Sequence, residues 1–152
     1  GSEKALHPYE EHDYRRITQG VPPKRTVLCR LTAEDAILPK HTEAVQREGI
    51  DNAAVVAGVG SVSTIHIPVI AARHDPPAES DPGGDYPLDI VNVNGLVIDG
   101  RVHAHITFSD NKVALGGHLE PGCIVQTFSV IMLHEFEEAN FKDWDAIVEM
   151  HP

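Results

Sequence analysis

Apolar and polar residues alternate with a period of two along much of this chain, the mark of half-buried strands. The cleanest run sets Val102, Ala104, Ile106 and Phe108 on one side and His103, His105, Thr107 and Ser109 on the other. "RTVLCRL", residues 25–31, predicts a first strand. "AAVVAGVGSVSTIHIPVI", residues 53–70, is too β-branched for a helix; it predicts a strand to Val59, a glycine turn, and a second strand through Ile70. "PLDIVNVNGLVI" and "CIVQTFSVIMLHEFE" predict two more strands, with the histidine-bearing hairpin between them.

A period nearer four occurs once. In "TAEDAILPKHTEAVQREGI", Thr32 and Asp35 suggest a capping box, and Pro39 is expected to break the first turn. The main helix is then expected from about Pro39 to Glu48, ended by Gly49, with Ala44 and Val45 on its apolar face. About six or seven strands and one main helix make an α+β fold, a largely antiparallel sheet with the helix packed on it. Residues 1–25 read as an N-terminal arm, 26–137 as the domain, and 138–152 as a C-terminal tail or short helix. Residues 73–86, "RHDPPAESDPGGDY", read as a mobile acidic Pro/Gly loop.

The 152 residues make one domain, and 41% apolar content is enough for a core. The net charge of −11, from 23 acidic and 12 basic residues, opposes tracking a phosphate backbone. Direct DNA binding is therefore disfavoured. No apolar run reaches the roughly 18 residues of a membrane helix. Cys29 and Cys123 stand in no CxxC spacing, so a reduced, cytoplasmic setting is expected, with a single disulfide as the alternative.

The candidate chemistry lies in "RVHAHITFSDNKVALGGHLEPGC", residues 101–123. Alternation puts His103 and His105 on one polar face. A two-residue turn at Asp110-Asn111 would set His103 opposite His118 and His105 opposite Gly116. Three neutral imidazoles suit zinc or another first-row divalent ion and leave a fourth position for water or a small-molecule ligand. The plainer alternative is three histidines facing solvent. Glu120 is the candidate general base for a water at such a site, against the simpler reading of an exposed turn glutamate. Cys123, His41 and His66 read as ordinary structural positions, and Arg30 and Arg101 as solvated cations or anchors for an acidic ligand. "AGVGS" lacks the spacing of a phosphate loop, and no Ser-His-Asp or Cys-His arrangement stands out.

These residues resemble a known family. "GRVHAHITFSDNKVALGGHLEPGCIV" is similar to the signature of the plant and prokaryote conserved (PPC) domain: R-x-H-x-H, a short turn, then G-G-H-L and G-C. Arg101, His103, His105, Gly117, His118, Leu119, Gly122 and Cys123 all fit it. Upstream, Arg-Leu, a helix ending in Gly-Ile, and Gly-x-Gly-Ser resemble the family's opening, so the likeness covers about residues 26–136. It implies an α/β fold on a largely antiparallel sheet, assembly as a homotrimer, and a metal, usually zinc, on His103, His105 and His118. Plant members of the family bind DNA through attached AT-hooks, but this chain has no Arg-Gly-Arg-Pro hook. Pro39 and the acidic loop depart from the family pattern.

Overall fold

The computed structural model describes residues 16–68 and 84–147. Six strands and one helix follow in the order β1 (Arg25–Thr32), α1 (Ile37–Arg47), β2 (Asn52–Ile65), β3 (Gly84–Ile98), β4 (Arg101–Ser109), β5 (Ala114–His118) and β6 (Ile124–Glu135). They form one sheet in the order β1-β6-β2-β3-β4-β5, and every neighbouring pair is antiparallel. The fold is α+β, as the alternation predicts. Among the described residues no helix is long and apolar enough to cross a membrane.

The inner face of the sheet packs on α1. Leu31, Val55, Val93, Val97, Ala104, Ile106, Phe108, Ile131 and Leu133 are buried there against Ile37 and Val45 of the helix. Burial on the strands follows period two, which is what a sheet covered on one face requires. The outer face carries the opposite parity. Leu28 pairs with Met132 and Val130 with Val59, so these side chains share that face. Leu28 is 65% exposed and Val59 52% exposed, and Phe128 and Met132 are exposed beside them. Arg30 lies over the Phe128 ring, 5.4 Å from its centroid.

Three local expectations are corrected. The helix starts at Ile37, so Pro39 falls in the first turn, where its missing N–H has no intrahelical partner to lose. Asp35 accepts from the Thr32 N–H but caps nothing; Ala36 is the N-cap and has no side-chain cap bond. The helix does end as expected: Gly49 has φ +70°, and the Gly49 and Ile50 N–H groups close onto Gln46 and Val45.

The second correction concerns β2, which is one 14-residue strand rather than two strands about a glycine turn. Its glycines serve close approach. A Cβ on Gly58 would lie 2.5 Å from the Val93 side chain, and one on Gly60 would lie 2.2 Å from the Phe128 carbonyl oxygen. Residues 69–70 lie outside the described residues. So does most of the acidic loop expected over 73–86; its last three positions belong to β3.

The third concerns the segment after β6. It folds back over the outer face, where Ala139 and Phe141 bury against Ile98, with Leu96 and Phe136 beside them. The Phe141 N–H donates to Asn52 Oδ1 at 3.1 Å. At the start of β1, Arg25 pairs with the buried Glu135 of β6 and with Glu48 at the end of the helix.

Candidate functional site

β4 and β5 form the last hairpin of the sheet, and their pairing places the three histidines. The turn is longer than two residues. Ser109 pairs with Ala114, and His105 pairs with His118. Asp110 explains the difference: its Oδ1 accepts from the N–H groups of Lys112 and Val113 at 2.7 and 2.8 Å, and its own N–H donates to Val113 O. This local closure takes up two more residues than the expected turn. The register therefore shifts by two, and His118 faces His105 rather than His103. A shift of two preserves the side-chain face, so all three rings still share the outer face.

The centroids of His103 and His118 are 4.8 Å apart, those of His105 and His118 5.5 Å, and those of His103 and His105 6.4 Å. Three imidazoles bound to one ion at tetrahedral angles have centroids on the order of 5 Å apart, given the Zn–N bond length. The rings have that spacing, and the donor set suits a borderline-soft divalent ion. Their present orientations differ from ligation: among the described residues no group of three His, Cys, Asp or Glu is arranged to hold a metal ion.

Each flanking carboxylate meets an Nδ1 atom. His103 Nδ1–H donates to Asp145 Oδ2 at 2.7 Å. Asp145 also accepts two bonds from Arg101, at 3.0 and 3.3 Å. Arg101 first, and His103 second, hold the Asp145 carboxyl at a pKa of about 2. Glu120 Oε2 lies 2.8 Å from His118 Nδ1, out of line for a hydrogen bond, so that buried nitrogen lacks one. The His105 pKa is lowered, chiefly by burial and then by His118 and His103, which favours the neutral ring that a metal needs.

The remaining candidates lie elsewhere. Cys123 is fully buried and its Sγ donates to His66 O, while His66 is exposed just past β2. Both cysteines are free thiols. Arg30 belongs to the exposed apolar face. The structure brings together one pair that sequence spacing does not signal: His41 Nδ1 of α1 lies 3.3 Å from Cys29 Sγ of β1. Burial pushes the Cys29 thiol up and lowers His41 to about 4. This is a neutral pair, not a thiolate–imidazolium one. Asp145 was also missed. It lies 42 positions from its histidine, and no local pattern marks that contact.

A family model described as the Plants and Prokaryotes Conserved (PCC) domain matches residues 18–137. Among solved structures, a hypothetical protein from Salmonella superposes with a TM-score of 0.66 at 21% identity, covering 78% of this chain and 81% of that one. A PPC protein from Pyrococcus horikoshii gives 0.65 at 19% identity, covering 82% and 87%. A protein from Archaeoglobus fulgidus described as metal-containing gives 0.60 at 18% identity, covering 90% and 100%. At these identities the likeness is one of fold. Among curated proteins, the bifunctional protein GlmU of a Synechococcus strain is 36% identical over 55 residues. That stretch is 36% of this chain and 9% of GlmU.

Proposed function

This chain belongs to the Plants and Prokaryotes Conserved (PCC) domain family, and from that premise we propose that it is a metal-binding domain acting on a small molecule as a homotrimer. His103, His105 and His118 hold zinc or another first-row divalent ion. The observation that carries this reading is the clustering of three imidazoles on one face of one hairpin, with centroids 4.8–6.4 Å apart. The family likeness and the metal-containing relative from Archaeoglobus fulgidus support it.

An ion held by these three histidines would supply Lewis acidity to a substrate oxygen or a water, the requirement for hydrolysis or a lyase step. The chain's own residues do the rest. β4 and β5 hold the rings on adjacent strands. Asp145 and Glu120 each sit against one Nδ1, and Glu120 is the carboxylate in reach to take a proton at the site. The net charge of −11 argues against a phosphate-backbone ligand.

Elemental analysis of purified protein, followed by zinc titration of the wild type and of His103→Ala, tests the reading. The expected result is about one ion per chain at neutral pH, lost in the variant. A wild type that takes up no metal overturns it. A second reading, a non-catalytic self-assembling module, is favoured by the exposed apolar face around Leu28, Val59, Phe128 and Met132. Retained assembly with no turnover of any ester, amide or carboxylate substrate would select it.

A further inference from the structure

Asp145 reaches His103 from outside the matched family region, which ends at residue 137. The segment that delivers it is firmly seated. Phe141 is 6% exposed, its ring lies 4.8 Å from that of Trp144 and 6.2 Å from that of Phe136, and its N–H is bonded to the buried Asn52. The Trp144 N–H closes a turn onto Phe141 O one residue before Asp145. Arg101 then clamps the carboxylate with two bonds. Asp145 is thus fixed from three sides: by its own turn, by Arg101 and by His103.

We infer that Asp145 is a positioning residue for the histidine site. It holds His103 as the Nδ1–H tautomer and in one ring orientation, and so presents Nε2 as the free lone pair. A neutral imidazole has one protonated and one unprotonated nitrogen. A carboxylate that accepts from Nδ1 therefore decides which nitrogen faces a ligand, and it raises the basicity of that nitrogen. Residues 138–147 then belong to the functional unit, and a chain cut after residue 137 has the three histidines without this orientation.

The inference rests on the metal reading for its consequence but not for its geometry, so two readouts separate them. The first is the ¹⁵N shifts of His103 in metal-free protein at about pH 8, where the free imidazole is neutral. Wild type and Asp145→Glu should show the Nδ1–H tautomer; Asp145→Ala should show a mixture or the Nε2–H form. The second is zinc affinity by chelator competition. Asp145→Ala should lose about 10- to 100-fold, the range for removing a partner of a ligating histidine, with the thermal midpoint followed in parallel. Unchanged tautomer and unchanged affinity in Asp145→Ala would overturn the inference. A loss far beyond 100-fold with an unchanged tautomer would also overturn it, by making Asp145 itself a ligand. If wild type binds no zinc, the metal reading fails, and the tautomer measurement alone decides the role of Asp145.

Discussion

His105 and His118 stand directly opposite each other across β4 and β5, with ring centroids 5.5 Å apart. Two imidazoles on paired positions depend on the register of one short strand, β5, at the edge of the sheet. Gly116 guards that register. A Cβ there would lie 2.6 Å from the Ile106 carbonyl oxygen, which is backbone and cannot swing aside. Gly116→Ala should cost about 1–3 kcal/mol by overpacking and lower metal affinity together with stability. His118→Ala, a partly exposed truncation, should stay within about 0.5 kcal/mol of wild type while losing the metal. Urea midpoints beside metal titrations distinguish the two.

Gly95 on β3 supports β4 from its other side. It pairs with Ala104, has φ +153°, and a Cβ on it would lie 2.2 Å from His103 O and 2.6 Å from Ala104 Cα. Gly95→Ala combines a disfavoured backbone with a backbone clash and should cost about 3 kcal/mol or more. Asn94→Ala, exposed on the neighbouring position, should be nearly neutral. If both variants unfold at the wild-type denaturant concentration, β3 and β4 do not pair this closely.

His41 should make stability depend on pH. It is 1% exposed, its Nε2 has no hydrogen-bond partner, and burial lowers its pKa to about 4 from 6.5. Above pH 6.5 the ring is neutral in both folded and unfolded chains, so the full stability is present. Between 6.5 and 4 only the unfolded chain takes up the proton, and stability falls as pH falls, by about 3 kcal/mol in total. Below 4 the slope from this group vanishes. Subtracting unfolding free energies of His41→Leu from those of wild type between pH 4 and 8 removes the carboxylate background. A flat difference would show that His41 is not buried as a neutral ring.

The outer apolar face should be covered in solution by further copies of the chain. Leu28 and Met132 are paired side by side there, 65% and 36% exposed. Light scattering should give a trimer for wild type and a monomer of unchanged circular dichroism for Leu28→Glu/Met132→Glu. A monomeric wild type would remove the homotrimer from the proposed function.

The sheet, helix α1 and the shared face of the three histidines were legible in the chain, because each rests on a local period. Val102, Ala104, Ile106 and Phe108 alternate with His103 and His105, and the structure keeps that parity even though the turn is longer than two residues. The unbroken β2 was not legible. Gly58 and Gly60 are the usual sign of a turn, and their reason, the close approach of Val93 and the Phe128 backbone, exists only once β3 and β6 flank the strand. Pro39 was misplaced for a related reason: the chain enters the helix from the Thr32–Asp35 turn, two residues earlier than the apolar spacing suggests.

By itself, then, the sequence determined which residues face together, since side-chain direction follows from backbone period within one element. Tertiary structure decided which of those faces meet. It put His105 rather than His103 opposite His118, because the Asp110 side chain closes a longer turn. It also brought Asp145 to His103 across 42 positions, because Phe141 and Ala139 bury on Ile98 and carry the carboxylate with them. Contacts of that separation are set by burial in the whole fold, and no local pattern records them.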